Sequence, residues 1–187
     1  MSIVTALRAK VFALTPADLG LVSSPATYGL VIETALPDTT VSWVALADGS
    51  VSIYASDGNG CIGCGANVEV HGAAIELLRS SERYLPASTE VTAPATPSLG
   101  NATLFFLTPS GIRATSLLSD ELGRHGTNCE LYFAAQRLIQ TVERVGAGHS
   151  LKQEIERALM EIQACNTSQH GAEQCLSVGN VVCRLRT

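Results

Sequence analysis

Apolar side chains recur at Val4, Leu7, Val11 and Leu14. A spacing of three and four puts them on one side of a helix over residues 2 to 14. Thr15-Pro16-Ala17-Asp18 then reads as a fresh helical start, with Thr15 as cap and Pro16 in the first position, closed by Gly20. After a loop rich in Ser, Pro and Thr, the period changes. Leu30 to Leu36 is a strand ended by Pro37-Asp38, and Val41 to Ala47 is a strand ended by Asp48-Gly49, a two-residue hairpin signal. Val51 to Ser56 alternates Val51, Ile53 and Ala55 with Ser52, Tyr54 and Ser56. That alternation predicts one covered face and one more polar face, as in an antiparallel sheet.

The helical period returns after Asn67, a plausible cap. Val70, Ala74, Leu77, Leu78 and Leu85 form the apolar side of a helix from about 68 to 85, stopped by Pro86. Residues 86 to 100 read as an extended surface connection. Two more strands, Ala102 to Thr108 and Ile112 to Leu118, are joined by Pro109-Ser110-Gly111. A helix from about Asn128 to Val145 follows, with its stripe at Leu131, Ala135, Leu138, Val142 and Val145. Ser150 and Gln153 resemble a capping box for a further helix to about Ala164, faced by Leu151, Ile155, Leu159 and Ile162. The expected architecture is α+β: a roughly five-stranded antiparallel sheet with helices packed on it and helical additions at both ends. Residues 1 to 148 form one domain in this reading. Residues 149 to 187 are a C-terminal helix and tail packed on it.

This order of elements, over residues 28 to 145, resembles the profilin-like group of folds, including the Roadblock and longin domains. The stretch from Asp48-Gly49 through Gly58 and Gly65 into the helix also looks like a family of uncharacterised bacterial proteins with a Gly-rich turn at this place. Both resemblances imply a scaffold or regulatory module that often dimerises.

Charge narrows the partners. Charged residues are 16% of the 187, the formal net charge is -5, and only two lysines occur, Lys10 and Lys152. No basic patch is visible, so nucleic acid is not an expected partner. No apolar run approaches the ~18 residues of a membrane span, and Arg8 and Lys10 interrupt the first apolar pattern, so neither a membrane nor a signal peptide is expected. The expected location is cytoplasmic. There the six cysteines are expected to be buried thiols. So little charge is below the usual quarter, which favours a surface partly hidden by self-association.

The stretch Gly58-Asn59-Gly60-Cys61-Ile62-Gly63-Cys64-Gly65 carries the candidate chemistry. Gly58, Gly60 and Gly63 fit G-x-G-x-x-G, in which glycines let the backbone approach a pyrophosphate at a helix start. With Gly65, Asn67 and His71 they form a candidate ligand or anion site. The preceding strand lies in a hairpin, and the next acidic residues, Glu76 and Glu82, sit on the helix itself, which is the wrong wiring for a dinucleotide fold. The bland alternative is a turn that needs positive φ or close helix approach. Cys61 and Cys64 fit C-x-x-C, a redox pair or half a zinc site. Cys129 and His71 are available as further ligands, but no second C-x-x-C occurs, and Cys165, Cys175 and Cys183 have no metal spacing. His125, His149 and His170 have no partner at a telling spacing. No catalytic residue and no cofactor are implied. The leading expectation is therefore a non-catalytic, dimeric scaffold acting through protein contacts. Ligand binding at Gly58 to Gly65 is the first alternative and thiol or metal chemistry at Cys61 and Cys64 the second.

Overall fold

A computed structural model describes residues 3–23, 25–58, 60–117 and 127–145, with the side chains of 127–129 outside the description. The elements are α1 (Ile3–Ala13), β1 (Gly29–Ala35), β2 (Thr40–Leu46), β3 (Val51–Ala55), β4 (Gly60–Ile62), α2 (Val68–Ser81), β5 (Thr89–Val91), β6 (Ala102–Thr108), β7 (Gly111–Leu117) and α3 (Thr127–Val145). The helix expected from Ser150 lies outside the described residues.

The α+β class is as expected, but among the described residues the antiparallel sheet has seven strands, not about five, in the order β4-β3-β2-β1-β6-β7-β5. The two additions are β4, inside the glycine stretch, and β5, inside the 86–100 connection. Each has three residues, too few to show a period. Their neighbours fix them: Cys61 pairs with Ile53, and Glu90 pairs with Arg113. Central β1 and β6 are buried along their whole length.

Both faces of the sheet are covered. On one, Leu30, Ile32, Leu104 and Phe106 pack with Val70 and Leu77 of α2 and Leu131 and Leu138 of α3. On the other, Val31, Val44, Phe105 and Leu107 pack with Val11 of α1. The alternation in β3 therefore does not mark a wet face, because Ser52 and Tyr54 are buried as well. Helix α2 starts where Asn67 Oδ1 accepts from the Glu69 N–H at 2.9 Å. It ends at Ser81, four residues short of the expected Leu85, and continues as a 3-10 turn, Glu82–Ala87. Pro86 disfavours an α conformation at Leu85 and clashes with the carbonyl four residues back, which is that of Glu82. Helices α2 and α3 run antiparallel, with Arg83–Glu130 at one end and Arg144–Glu69 at the other. These exposed pairs set direction and add little stability. They bring the end of α3 beside the start of α2.

A buried polar row crosses the α1 side of the sheet. Glu33, Ser42 and Tyr54 are cross-strand neighbours on β1, β2 and β3. Glu33 is 0% exposed. Arg8 of α1 meets it with Nε to Oε1 at 2.7 Å and Nη2 to Oε2 at 2.9 Å, and donates a third bond to the Pro94 carbonyl at 3.0 Å. Ser42 Oγ donates to Oε1 at 3.3 Å. One side chain thus ties α1, the sheet and the 86–100 connection together.

Burial, reinforced by the Glu33 carboxylate and partly offset by the Arg8 guanidinium, pushes the Tyr54 phenol up to about 12. The unfolded phenol ionises near ~10. The folded chain holds the proton longer, so this contribution to stability is complete below about pH 10 and is lost as the pH rises towards 12. Burial raises Tyr28 as well, with the Asp18 carboxylate adding to it. Urea unfolding at about pH 9 and about pH 11 is expected to show a falling stability that Tyr54→Phe makes shallower. An equally steep fall in that variant would assign the loss elsewhere.

Candidate functional site

The glycine stretch leaves β3, turns back as the outermost strand β4, makes a 3-10 turn at Cys64–Ala66 and enters α2. Its four glycines do two different jobs. Gly58 and Gly63 have positive φ, 96° and 72°, with open space where a Cβ would stand. Gly60, itself at a positive φ of 141°, and Gly65 are places of close backbone approach. A Cβ on Gly60 would lie 2.0 Å from the Ile53 carbonyl oxygen, and one on Gly65 would lie 2.0 Å from that of Gly49. Gly65 thereby seats the 3-10 turn directly on the β2–β3 hairpin.

His71 comes to the same hairpin from α2. Its imidazole rests against Gly49, where a Cβ would meet Nδ1 at 1.9 Å, and it is otherwise exposed. Three N–H groups around the turn already have internal acceptors. Gly63 N–H donates to Ser52 Oγ at 3.3 Å, Ala66 N–H to the Gly63 carbonyl at 3.3 Å, and Glu69 N–H to Asn67. The Glu69 carboxylate stands in the first turn of α2, bound to Arg144 at 2.6 Å. A negative charge already sits where an anion would be drawn by the helix dipole.

Cys61 and Cys64 are joined as a disulfide, with Cα atoms 6.0 Å apart. The expectation of buried thiols is corrected for these two: they are bonded and half-buried. The cause is local. Gly63, in the left-handed region, turns the chain between them so that Cys64, first residue of the 3-10 turn, comes back towards the edge strand. Cys64 packs against the larger core cluster. Cys61 ends a cross-strand row, Ile32–Trp43–Ile53–Cys61, running from the sheet centre to its edge on the α2–α3 face. Ile32 is fully buried, while Trp43, Ile53 and Cys61 are half-buried. Trp43 stacks on Tyr132 of α3 at 5.4 Å. Ile32, Trp43 and Ile53, but not Cys61, border a cavity of about 10 Å³ shared with Leu77, Leu138 and Ile139, the lower limit of what holds one water.

The proposed site residues thus divide. Gly58, Gly60, Cys61, Gly63, Cys64 and Gly65 form one turn, Asn67 caps the helix after it, and His71 faces the neighbouring hairpin. Among the described residues no group of three or more His, Cys, Asp or Glu side chains could hold a metal ion. No described helix is long and apolar enough to cross a membrane. Sequence reasoning missed Ser52 and the half-buried neighbours of Cys61. The two-residue turn expected at Asp48-Gly49 would set Trp43 opposite Tyr54; the loop instead spans residues 47 to 49, with the Leu46 N–H donating to the Ser50 carbonyl at 2.9 Å, so that Trp43 faces Ile53, and the last step to Cys61 needed β4. No family model, no curated protein and no solved structure matches the chain.

Proposed function

We propose that the protein works through thiol–disulfide exchange at Cys61 and Cys64. The observation that carries this reading is the bonded pair itself, half-buried on the outermost strand. A bridge stabilises a fold chiefly by closing a long loop of the unfolded chain. This one joins residues only three apart, so its value as a staple is small and its value as a couple is the better account. In the reducing compartment expected from the sequence, disulfides are characteristically transient and redox-active.

The test is differential alkylation with mass mapping of the full chain, in cells and after purification. Cys61 and Cys64 are expected to switch between bonded and free forms with the redox poise, while unfolding stability differs by less than about 2 kcal/mol between them, the scale for so short a loop. A bond that no thiol reduces in the native state would end the reading.

A second reading is the dimeric protein-contact module, on a profilin-like fold. It is favoured by the small share of charge and by Phe133, an exposed ring on α3 beside Tyr132. Light scattering that returns a monomer mass across a wide concentration range counts against it.

A further inference from the structure

The thiol that exchanges with this pair has to reach one of two sulfurs, and the two sit in different surroundings. Cys64 has the core cluster behind it, and the next residue, Gly65, is pressed against the Gly49 backbone. Among the described residues, Cys61 stands on the last strand of the sheet, β4, whose one strand neighbour is β3. The surface leading to Cys61 is its own cross-strand row, Ile53 and then Trp43, both half-buried and both apolar. The members of this row are themselves uncharged; the charged residue nearest Cys61 along the chain is Asp57, exposed in the turn between β3 and β4, and Glu69 is bound to Arg144.

We infer that Cys61 is the sulfur attacked, and that Trp43 and Ile53 select the attacker. The partner is a polypeptide whose cysteines are flanked by apolar side chains, rather than a small charged thiol. This rests on the exchange reading above. One partner thiolate attacks Cys61 Sγ. A bond forms between partner sulfur and Cys61, the Cys61–Cys64 bond breaks, and the electron pair goes to Cys64 Sγ, which takes up a proton. The second partner thiol then attacks the partner sulfur in the mixed disulfide and releases Cys61. The partner dithiol is oxidised to a disulfide and the Cys61–Cys64 pair is reduced, so two electrons and two protons are transferred. The apolar flanks of the partner lie along Ile53 and Trp43 and lose water there, which a glutathione-sized, charged thiol cannot match.

The experiment uses the full chain with three reductants: a synthetic dithiol peptide with Leu and Phe around its cysteines, the same peptide with Glu and Lys in those places, and glutathione. Reduction of Cys61–Cys64 is followed by quenched alkylation and mass mapping, which separates this pair from the other four cysteines. The apolar peptide is expected to react about tenfold faster than the charged one, the effect of half-burying one large apolar side chain. Ile53→Thr, which keeps a β-branched residue in the strand, is expected to reduce that ratio of apolar to charged peptide several-fold. Trp43→Phe provides a second variant that keeps the stack on Tyr132. In Cys64→Ser, offered the peptide as its disulfide, the mixed disulfide is expected at Cys61; Cys61→Ser is expected to trap Cys64 far more slowly. Equal rates for the two peptides, or faster trapping at Cys64, overturn this inference while exchange itself stands. A bond that none of the three reductants opens overturns exchange as well.

Discussion

Arg8→Ala is expected to lower the unfolding free energy by about 3 kcal/mol, the lower end of the range for breaking a buried ion pair. Arg8 supplies both bonds that neutralise Glu33, and Glu33 is fully enclosed. Without the guanidinium the carboxylate keeps one weak bond, from Ser42, and must either stay charged in a poor solvent or take up a proton. The Arg8 side chain is itself 25% exposed, which is why the lower end is chosen. The loss also detaches α1 from the Pro94 carbonyl. The double variant Arg8→Met with Glu33→Gln is expected to recover more than half of the loss, because a neutral amide can still bond Ser42 and no charge is stranded. Urea melts of the three proteins at neutral pH decide the matter. A single variant within about 1 kcal/mol of the parent, as exposed pairs give, would mean that Glu33 is solvated after all.

Gly65→Ala is expected to cost about 3 kcal/mol or more, the upper range for forcing atoms into a filled space. The obstacle is backbone on both sides, the Gly49 carbonyl and the Val51 N–H at 2.9 Å, and neither can move without opening the β2–β3 hairpin. Gly63→Ala is the control in the same turn. Its side chain would enter open space, so only the left-handed φ of 72° opposes it, at about 1 to 2 kcal/mol. The difference separates two accounts of this glycine-rich turn. If close helix approach is the reason for Gly65, its loss exceeds that of Gly63→Ala by about 1 kcal/mol or more. Equal losses would reduce the whole stretch to a matter of backbone torsion.

The long elements were legible because their patterns are long enough to repeat. Asn67 was readable as a cap, the Asp48-Gly49 turn as a hairpin, and the Leu131 to Val142 stripe as a buried helix face. What escaped was set at a distance. Gly60-Cys61-Ile62 becomes a strand only because Ser52, Ile53 and Tyr54 offer an open edge. Glu33 reads as a polar interruption in an apolar strand, and nothing in its own neighbourhood announces that Arg8, 25 residues earlier, neutralises it. The turn itself was identified as the place of interest, with an anion cradle and a positive-φ turn with close helix approach as the two readings of its glycines. The geometric reading is visible in the close backbone approaches at Gly60 and Gly65 and the left-handed turn at Gly63 between Cys61 and Cys64. Ser52, read as part of the more polar face of its strand, is buried and is the acceptor that holds Gly63.

The place of β1 in the sheet has a consequence for biosynthesis. Its Ile32 lies between Trp43, a near neighbour in sequence, and Leu104, far downstream. As the chain leaves the ribosome, the β1–β2–β3 meander and α2 emerge well before Ala102–Thr108. Until that segment follows, β1 is an open border of seven residues that are all buried in the finished protein. Such borders template pairing between chains, and closing them across a long loop is slow. The nascent protein is therefore most exposed to aggregation in the interval between β3 and β6, and the arrival of Phe105 and Phe106 brings that interval to an end.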